Sequence, residues 1–174
     1  MRLEPLEPRH EERLWEVAQD ERAWALMRVR GHESRERFRE WLDSVELGFV
    51  HYFEGALVGH TSFLNVRPAD RVVEVGNTWL NPGWWGTGAN TEAKYLLMRH
   101  AFEREGYLRV EFKTDALNER ARAALAALPA EFEGVFRKHM LVRGGERRDS
   151  AWYAVIDDDW PAVKANLLRR LART

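Results

Sequence analysis

The apolar residues of this chain follow two rhythms. In "PRHEERLWEVAQDERAW", Leu14, Val17, Ala18 and Trp24 fall roughly on one helical face. Phe38, Trp41, Leu42 and Val45 do the same in "ESRERFREWLDSVEL". A repeat near 3.6 residues predicts two amphipathic helices. Ser34 is placed to cap the second, its hydroxyl accepting from a free first-turn N–H. The period then shortens to two. "FVHYF" and "LVGHTSFLNV" read as strands joined by a turn at Glu54-Gly55, and "VVEVGNTWL" follows the turn "RPADR" as a third. The opening "RLEPL" also alternates and suits a short edge strand, because Pro5 has no N–H to donate.

Further on, "NTEAKYLLMRHAFEREG" sets Ala93, Leu96, Leu97, His100 and Ala101 on one stripe, with Gly106 as its stop. "LRVEFKTDA" is strand-like, and "NERARAALAAL" is a short helix starting near Asn118. "EGVFRKHMLV" and "RDSAWYAVI" form a hairpin around Gly144-Gly145. "DDWPAVKANLLRRLA" is a closing helix, with Asp159 as N-cap and Pro161 in the first turn. Three hairpin-joined strands followed by strand–helix alternation predict a mixed α/β (α+β) sheet, not a doubly wound one. At 174 residues, the whole of 1–174 is expected to be one domain with a real core.

Composition narrows the partners. A formal net charge of −1 gives no general pull toward nucleic acid or an anionic membrane. The absence of cysteine removes disulfides, thiolate nucleophiles and zinc–thiolate sites together, and fits a reducing cytoplasm. The N-terminus has no apolar run, and no segment nears the ~18 apolar residues of a membrane span, so a cytoplasmic location is expected. The histidines, among them His32, His51 and His60, are scattered without H-x-x-x-H spacing, and no metal site is expected.

The stretch "TWLNPGWWGTGANTEAK" lies between a strand and a helix. Gly86 and Gly88 let the backbone turn with several N–H groups facing one way, and the helix adds the positive end of its dipole. That makes an anion site suited to a pyrophosphate, to which Asn90 and Thr91 side chains can add. The plainer alternative is a glycine-rich connection. Neither G-x-x-x-x-G-K-[ST] nor G-x-G-x-x-G occurs, which argues against a P-loop and a Rossmann fingerprint.

Four blocks in order, "VEVGNTWLNPGWWGTGANTEAKYLLMRHAFE", "LRVEFKTDALNERARAAL", "EFEGVFRKHML…RRDSAWYAVI" and "WPAVK…L", resemble the GNAT superfamily of N-acetyltransferases, and within it the RimJ/RimL-like branch. The resemblance covers almost the whole chain. It implies a central mixed, mostly antiparallel sheet of about seven strands flanked by helices, splayed between strands four and five where acetyl-CoA enters. The family loop [QR]-x-x-G-x-[GA] falls on Trp85, Gly88 and Asn90, of which only Gly88 keeps the family type. The cofactor-binding residues this implies are Trp85, Gly86, Thr87, Gly88, Ala89, Asn90 and Thr91 for the pyrophosphate. Trp79 and Leu80 would bind the pantetheine arm through their main chain, and Asn118 would contact it near the thioester. A homodimer is common in the family.

Acetyl transfer to an amine needs a base, a donor to the thioester oxygen, and an exit for the thiolate. Glu74, on the strand entering the loop, matches the general-base Glu of some relatives. Its alternatives are a solvated strand carboxylate or a partner of Arg71 or Arg109. Regular alternation would put Glu74, Gly76, Thr78 and Leu80 on one face and Val75, Asn77 and Trp79 on the other. Asn77 is a second catalytic candidate, or a tie between strands. The N–H of Leu80 is the donor expected for the thioester oxygen. The proton donors of relatives are missing: a common Tyr is Leu125, and a Ser of the RimL-like branch is Ala121. His139 and Tyr153 are the substitutes considered. The arginines of "VRGGERRDS" read as a solvated hairpin tip, with Asp149 as their partner, or as a grip for an acidic substrate or nucleic acid. The expected activity is acetyl-CoA-dependent acetylation of a primary amine, either a small molecule or a protein N-terminus, with no nucleic-acid, membrane or metal partner. The alternative is a catalytically weak CoA-binding module of the same fold.

Overall fold

A computed structural model describes residues 1–173. Seven strands form one sheet in the order β1-β2-β3-β4-β5-β7-β6. They are β1 (Arg2–Pro5), β2 (Leu47–Phe53), β3 (Ala56–Arg67), β4 (Val72–Leu80), β5 (Arg109–Asp115), β6 (Glu131–Val142) and β7 (Glu146–Ile156). The helices are α1 (Glu11–Val17), α2 (Arg35–Asp43), α3 (Ala89–Glu103), α4 (Glu119–Ala127) and α5 (Trp160–Leu171). The element order read from hydrophobic period is the order observed.

Local chemistry explains the boundaries. Ser34 Oγ accepts from Arg37 N at 3.1 Å and caps α2. Asn118 Oδ1 accepts from Ala121 N at 3.0 Å and caps α4. Glu54 and Gly55 both take positive φ, 51° and 81°, the geometry a tight hairpin needs between β2 and β3. Asp159 sits before α5 but makes no side-chain cap bond, so Pro161 carries that helix start.

One face of the sheet packs Val73, Val75, Val110 and Phe112 against Leu97 and Met98 of α3 and Val163 and Leu167 of α5. The other packs Val50, Leu57 and Trp79 against Leu14, Phe38 and Trp41 of α1 and α2. Trp24, fully buried, centres the second core: its ring lies 5.3 Å from both Trp41 and Trp79, and its indole N–H donates to Ala18 O at 2.7 Å. The chain between α1 and α2, which holds only two short 3₁₀ turns at Glu21–Ala23 and Gly31–Glu33, is thereby anchored over the sheet.

Two irregularities in β4 open the sheet and set its faces. First, β4 pairs with β5 in parallel only over Val72–Glu74 and Arg109–Glu111. Beyond Glu74 the strands diverge and a wedge opens. Second, Asn77 has φ 53°, and the β3 register jumps there from Ser62↔Gly76 to His60↔Trp79. This is a β-bulge, with an extra β4 residue opposite Thr61. It overturns the regular alternation expected for β4. Glu74, Gly76 and Trp79 share the α1/α2 side, while Val75 and Leu80 share the α3 side, where Leu80 packs with Ala89.

Candidate functional site

The wedge between β4 and β5 is the floor of an open cleft of about 1920 Å³. Two structural halves line it.

The first half is the loop from β4 into α3. Asn81 accepts from Gly83 N, and Trp85 N donates to Pro82 O at 3.1 Å, closing a short 3₁₀ turn at Pro82–Trp84. Gly86 follows with φ 77°, and its missing Cβ would meet nothing within 4 Å, so conformation and not crowding selects glycine there. Gly88 is in the ordinary right-handed helical region, φ −66°, as the residue before α3. Thr87 Oγ1 both donates to Trp84 O, at 2.8 Å, and accepts from Ala89 N, at 3.2 Å, fastening the turn to the helix. The main-chain N–H groups of Trp85 and Ala89 are therefore engaged within the loop. Those of Gly86, Thr87, Gly88, Asn90 and Thr91 have no acceptor among the described residues. Five unpaired amides at the start of a 15-residue helix form a nest for an oxyanion, and phosphate chemistry fits it. Lys94, one turn along, donates to Asn90 Oδ1 at 2.9 Å, and burial lowers its pKa to about 8.

The paired tryptophans have separate tasks. Trp84 packs edge-on against Phe53 of β2, centroids 5.7 Å apart. Trp85 turns toward the wedge: its indole N–H donates to Leu80 O at 3.1 Å, and the Arg120 guanidinium of α4 lies over its ring. Asn81 N bonds Val58 O on β3, so strand alternation turns the N–H and C=O of Leu80 toward the opening and those of Trp79 toward β3. The Trp79 carbonyl lies so close to Gly59 that a Cβ there would be 2.2 Å from it. The structure thus brings Leu80 to the cleft as a main-chain donor and acceptor, and keeps the Trp79 main chain in the ladder.

The second half is built from side chains. Glu74, only 1% exposed, lies at the point where β4 and β5 part. Its Oε2 accepts from Asn65 Nδ2 at 2.6 Å and from Lys113 Nζ at 3.1 Å. Neither Arg71 nor Arg109 is its partner; Arg109 pairs with Glu111 and Glu133. Glu74 Oε1 lies over Gly76, 3.1 Å from where a Cβ would stand, and makes no hydrogen bond among the described residues. Asn77 Oδ1 accepts from Trp41 Nε1 at 3.2 Å, and its carbonyl oxygen from His60 Nδ1 at 3.2 Å, so Asn77 ties the bulge to the aromatic core. Burial holds His60 neutral, its pKa lowered to about 4, and pushes His51 well down.

Sequence reasoning missed Lys113 and misread the hairpin. Arg147 is exposed as a tip residue should be, but Arg148 is buried and Arg143 half-buried, and both line the cleft. Asp149 accepts from Lys138 N at 2.6 Å instead of pairing with arginines. The strand period carried the missing signal: Lys113, Asp115, Ser150 and Arg148 alternate onto one face through the pairs Lys113↔Trp152 and Asp115↔Ser150. His139 and Tyr153 do not line the cleft. His139 Nδ1 lies 3.0 Å from Ser150 Oγ, and the Tyr153 hydroxyl accepts from Arg122 Nε at 3.1 Å. Ala121 and Leu125 do line it and offer no O–H. Asn118 lines it too, with Oδ1 spent on the α4 cap. Among the described residues no group of three or more His, Cys, Asp or Glu could hold a metal ion, and no helix is long and apolar enough to cross a membrane.

No curated protein sequence matches the chain. A protein described as an acetyltransferase from T. thermophilus is 36% identical with a TM-score of 0.90, over 97% of this chain and 92% of that one. A GCN5-related N-acetyltransferase from Brucella melitensis is 31% identical with a TM-score of 0.89, over 97% and 81%. Mycobacterium smegmatis RimJ in complex with CoA-disulfide, at 19% identity, shares the fold with a TM-score of 0.80 over 97% and 88%. The family model for the acetyltransferase (GNAT) domain matches residues 1–130, from β1 through the loop before α3 and on through α4, and the chain is a member of that family, an N-acetyltransferase.

Proposed function

We propose that this enzyme transfers the acetyl group of acetyl-CoA directly to a primary amine held on the Glu74 side of the cleft. The unpaired amides of Gly86, Thr87, Gly88, Asn90 and Thr91 would hold the pyrophosphate at the head of α3. The inward edge of Leu80 would hold the pantetheine arm and polarise the thioester carbonyl. For the arm to use Leu80 O, the Trp85 indole must give up that acceptor. Asn118 has its amide NH2 left for the arm after capping α4.

The carrying observation is the asymmetry of Glu74. Lys113 and Asn65 both bind Oε2, which fixes the carboxylate, while Oε1 is left above the space that Gly76 keeps open. A free oxygen on a fixed carboxylate at the foot of the wedge suits a general base. The amine nitrogen, deprotonated toward Oε1, attacks the thioester carbon; the C–S bond breaks and CoA leaves as thiolate. With Ala121 and Leu125 in the family's acid positions, the thiolate takes its proton from water in the open cleft. Asn77 acts by holding the bulge, and with it the inward edge of Leu80.

Residues 1–174 are read as one acetyltransferase unit. Exposed Phe132, Val135, Phe136 and Leu141 along the edge strand β6 support a homodimer. The reading is tested by incubating protein, acetyl-CoA and a panel of primary amines, and following free CoA. Amine-dependent CoA release together with stabilisation by CoA in thermal melts is expected. CoA that leaves the melting temperature unchanged, or no release with any amine, overturns it.

A further inference from the structure

Arg148 is anomalous. It projects from β7 into the cleft at 6% exposure, yet its guanidinium makes no hydrogen bond or ion pair with any described residue, and its Nε is sealed from solvent as well. A guanidinium carries five N–H donors, and burying it without an acceptor is destabilising. The groups whose charge reaches it are Asp115, Glu74, Arg28 and Arg143. Neither carboxylate makes an ion pair with Arg148. Asp115 Oδ1 accepts from Leu117 N at 3.0 Å, and its Oδ2 pairs with Arg143 Nη2 at 3.5 Å. Glu74 is bound by Lys113.

Arg28 makes no ion pair among the described residues either, and it lines the same cleft. Its position is fixed through Arg143, which donates its main-chain N–H to Arg28 O at 2.9 Å and Nη1 to Met27 O at 2.7 Å. One arginine therefore satisfies Asp115 and clamps the loop before α2. Of the two others that line the cleft, Arg28 is exposed and Arg148 is buried, and neither has an ion-pair partner among the described residues. Polar burial of this kind is retained where a ligand supplies the missing acceptor. The planar fork of an arginine suits a carboxylate.

We propose that Arg148, assisted by Arg28, is an acceptor-specificity residue that binds a carboxylate carried by the amine substrate. This rests on the acetyl-transfer reading above, with the amine at Glu74. The acceptor class is an amine bearing a carboxylate, either a free amino acid or a peptide N-terminus with an acidic side chain.

The test compares acceptors of matched length whose distal group is a carboxylate, a carboxamide or an ammonium, offered both as free amino acids and as N-terminal tripeptides. The carboxylate acceptor should exceed its carboxamide by tenfold or more in kcat/KM. Arg148→Met should abolish that preference, mainly through KM, with carboxamide turnover and stabilisation by CoA unchanged. The same variant should melt at a higher temperature than the wild type, because an unpartnered buried charge has been removed. Arg28→Gln should reduce the preference by a smaller factor. Whichever carboxylate series wins, free or peptide, identifies the source. Equal turnover of carboxylate and carboxamide in the wild type overturns the proposal while leaving acetyl transfer standing, and so does an equal loss on both in Arg148→Met. A lower melting temperature in Arg148→Met shows that the side chain was structural. Absence of turnover on every amine removes the acetyl-transfer reading and the subsite with it.

Discussion

The two halves of the cleft are made of different material. The half we assign to the cofactor is built from main-chain amides, the half we assign to the acceptor from side chains. A nest of N–H groups tolerates changes in the side chains around it. This is why Trp85 and Asn90 can stand where relatives carry polar and small residues. It also explains why the loop keeps its geometry through Thr87 and Gly86 and not through its bulkier members. The acceptor half has no such tolerance. Glu74 depends on Lys113 and Asn65 for its orientation, and Asp115 on Arg143, so each residue there is specific to one task.

The contrast can be broken most severely at Glu74. Glu74→Gln keeps the shape and removes the base, and should lower kcat by roughly 10²–10⁴-fold with CoA affinity unchanged. Titration calorimetry with CoA beside steady-state rates separates the halves, and equal losses in both would mean that they are not independent. Next comes Trp24, which supports the acceptor half from below. Trp24→Ala should cost about 3–5 kcal/mol of stability in a denaturant titration, and loosen the segment carrying Arg28.

Acid should act on the same region. His60 lies between Trp41 and the Asn77 carbonyl and is held neutral, with a folded pKa of about 4 against an unfolded value near 6.5. The unfolded chain therefore binds more protons between those pH values. Stability should be intact above about pH 6.5 and fall as the pH drops toward 4, by up to roughly 3 kcal/mol. Buried His51 adds to the loss in the same direction. Melting curves across this range, with His60→Gln showing a shallower fall, measure it.

The smallest effect belongs to the cofactor half. Gly86→Ala forces an L side chain into positive φ at about 1–2 kcal/mol, and should raise KM for acetyl-CoA several-fold with little change in acceptor preference. A changed acceptor preference in that variant would dissolve the distinction between the halves.

Much of the architecture was legible in the sequence because it follows from period and punctuation. Ser34 and Asn118 cap as their side chains dictate, and Glu54-Gly55 turns as a tight hairpin must. The loop before α3 was legible because glycines and a helix start are local signals. The face assignment in β4 failed after Gly76, since a bulge is a property of two strands and leaves only a faint mark on one. "Gly-Asn" inside a strand was that mark: asparagine is among the few residues that accept positive φ. Lys113, Arg143 and Arg148 were lost for a related reason. A charged residue near a hairpin reads as solvated until the neighbouring strands show which face it takes. Ala121 and Leu125, by contrast, carry no O–H whatever the fold around them, and both line the cleft.

The bulge at Asn77 also bears on how this chain can change over generations. Straightening the strand there with every residue kept would exchange the faces of Trp79 and Leu80. The indole would leave its aromatic core and the inward edge of the strand would turn away from the wedge. A residue gained or lost at the Glu54-Gly55 turn alters only a surface bend. Lineages of this fold should therefore vary freely in length at that hairpin, while between Glu74 and Leu80 they keep the extra residue and its bulge or lose both together, even where the amino acids themselves drift.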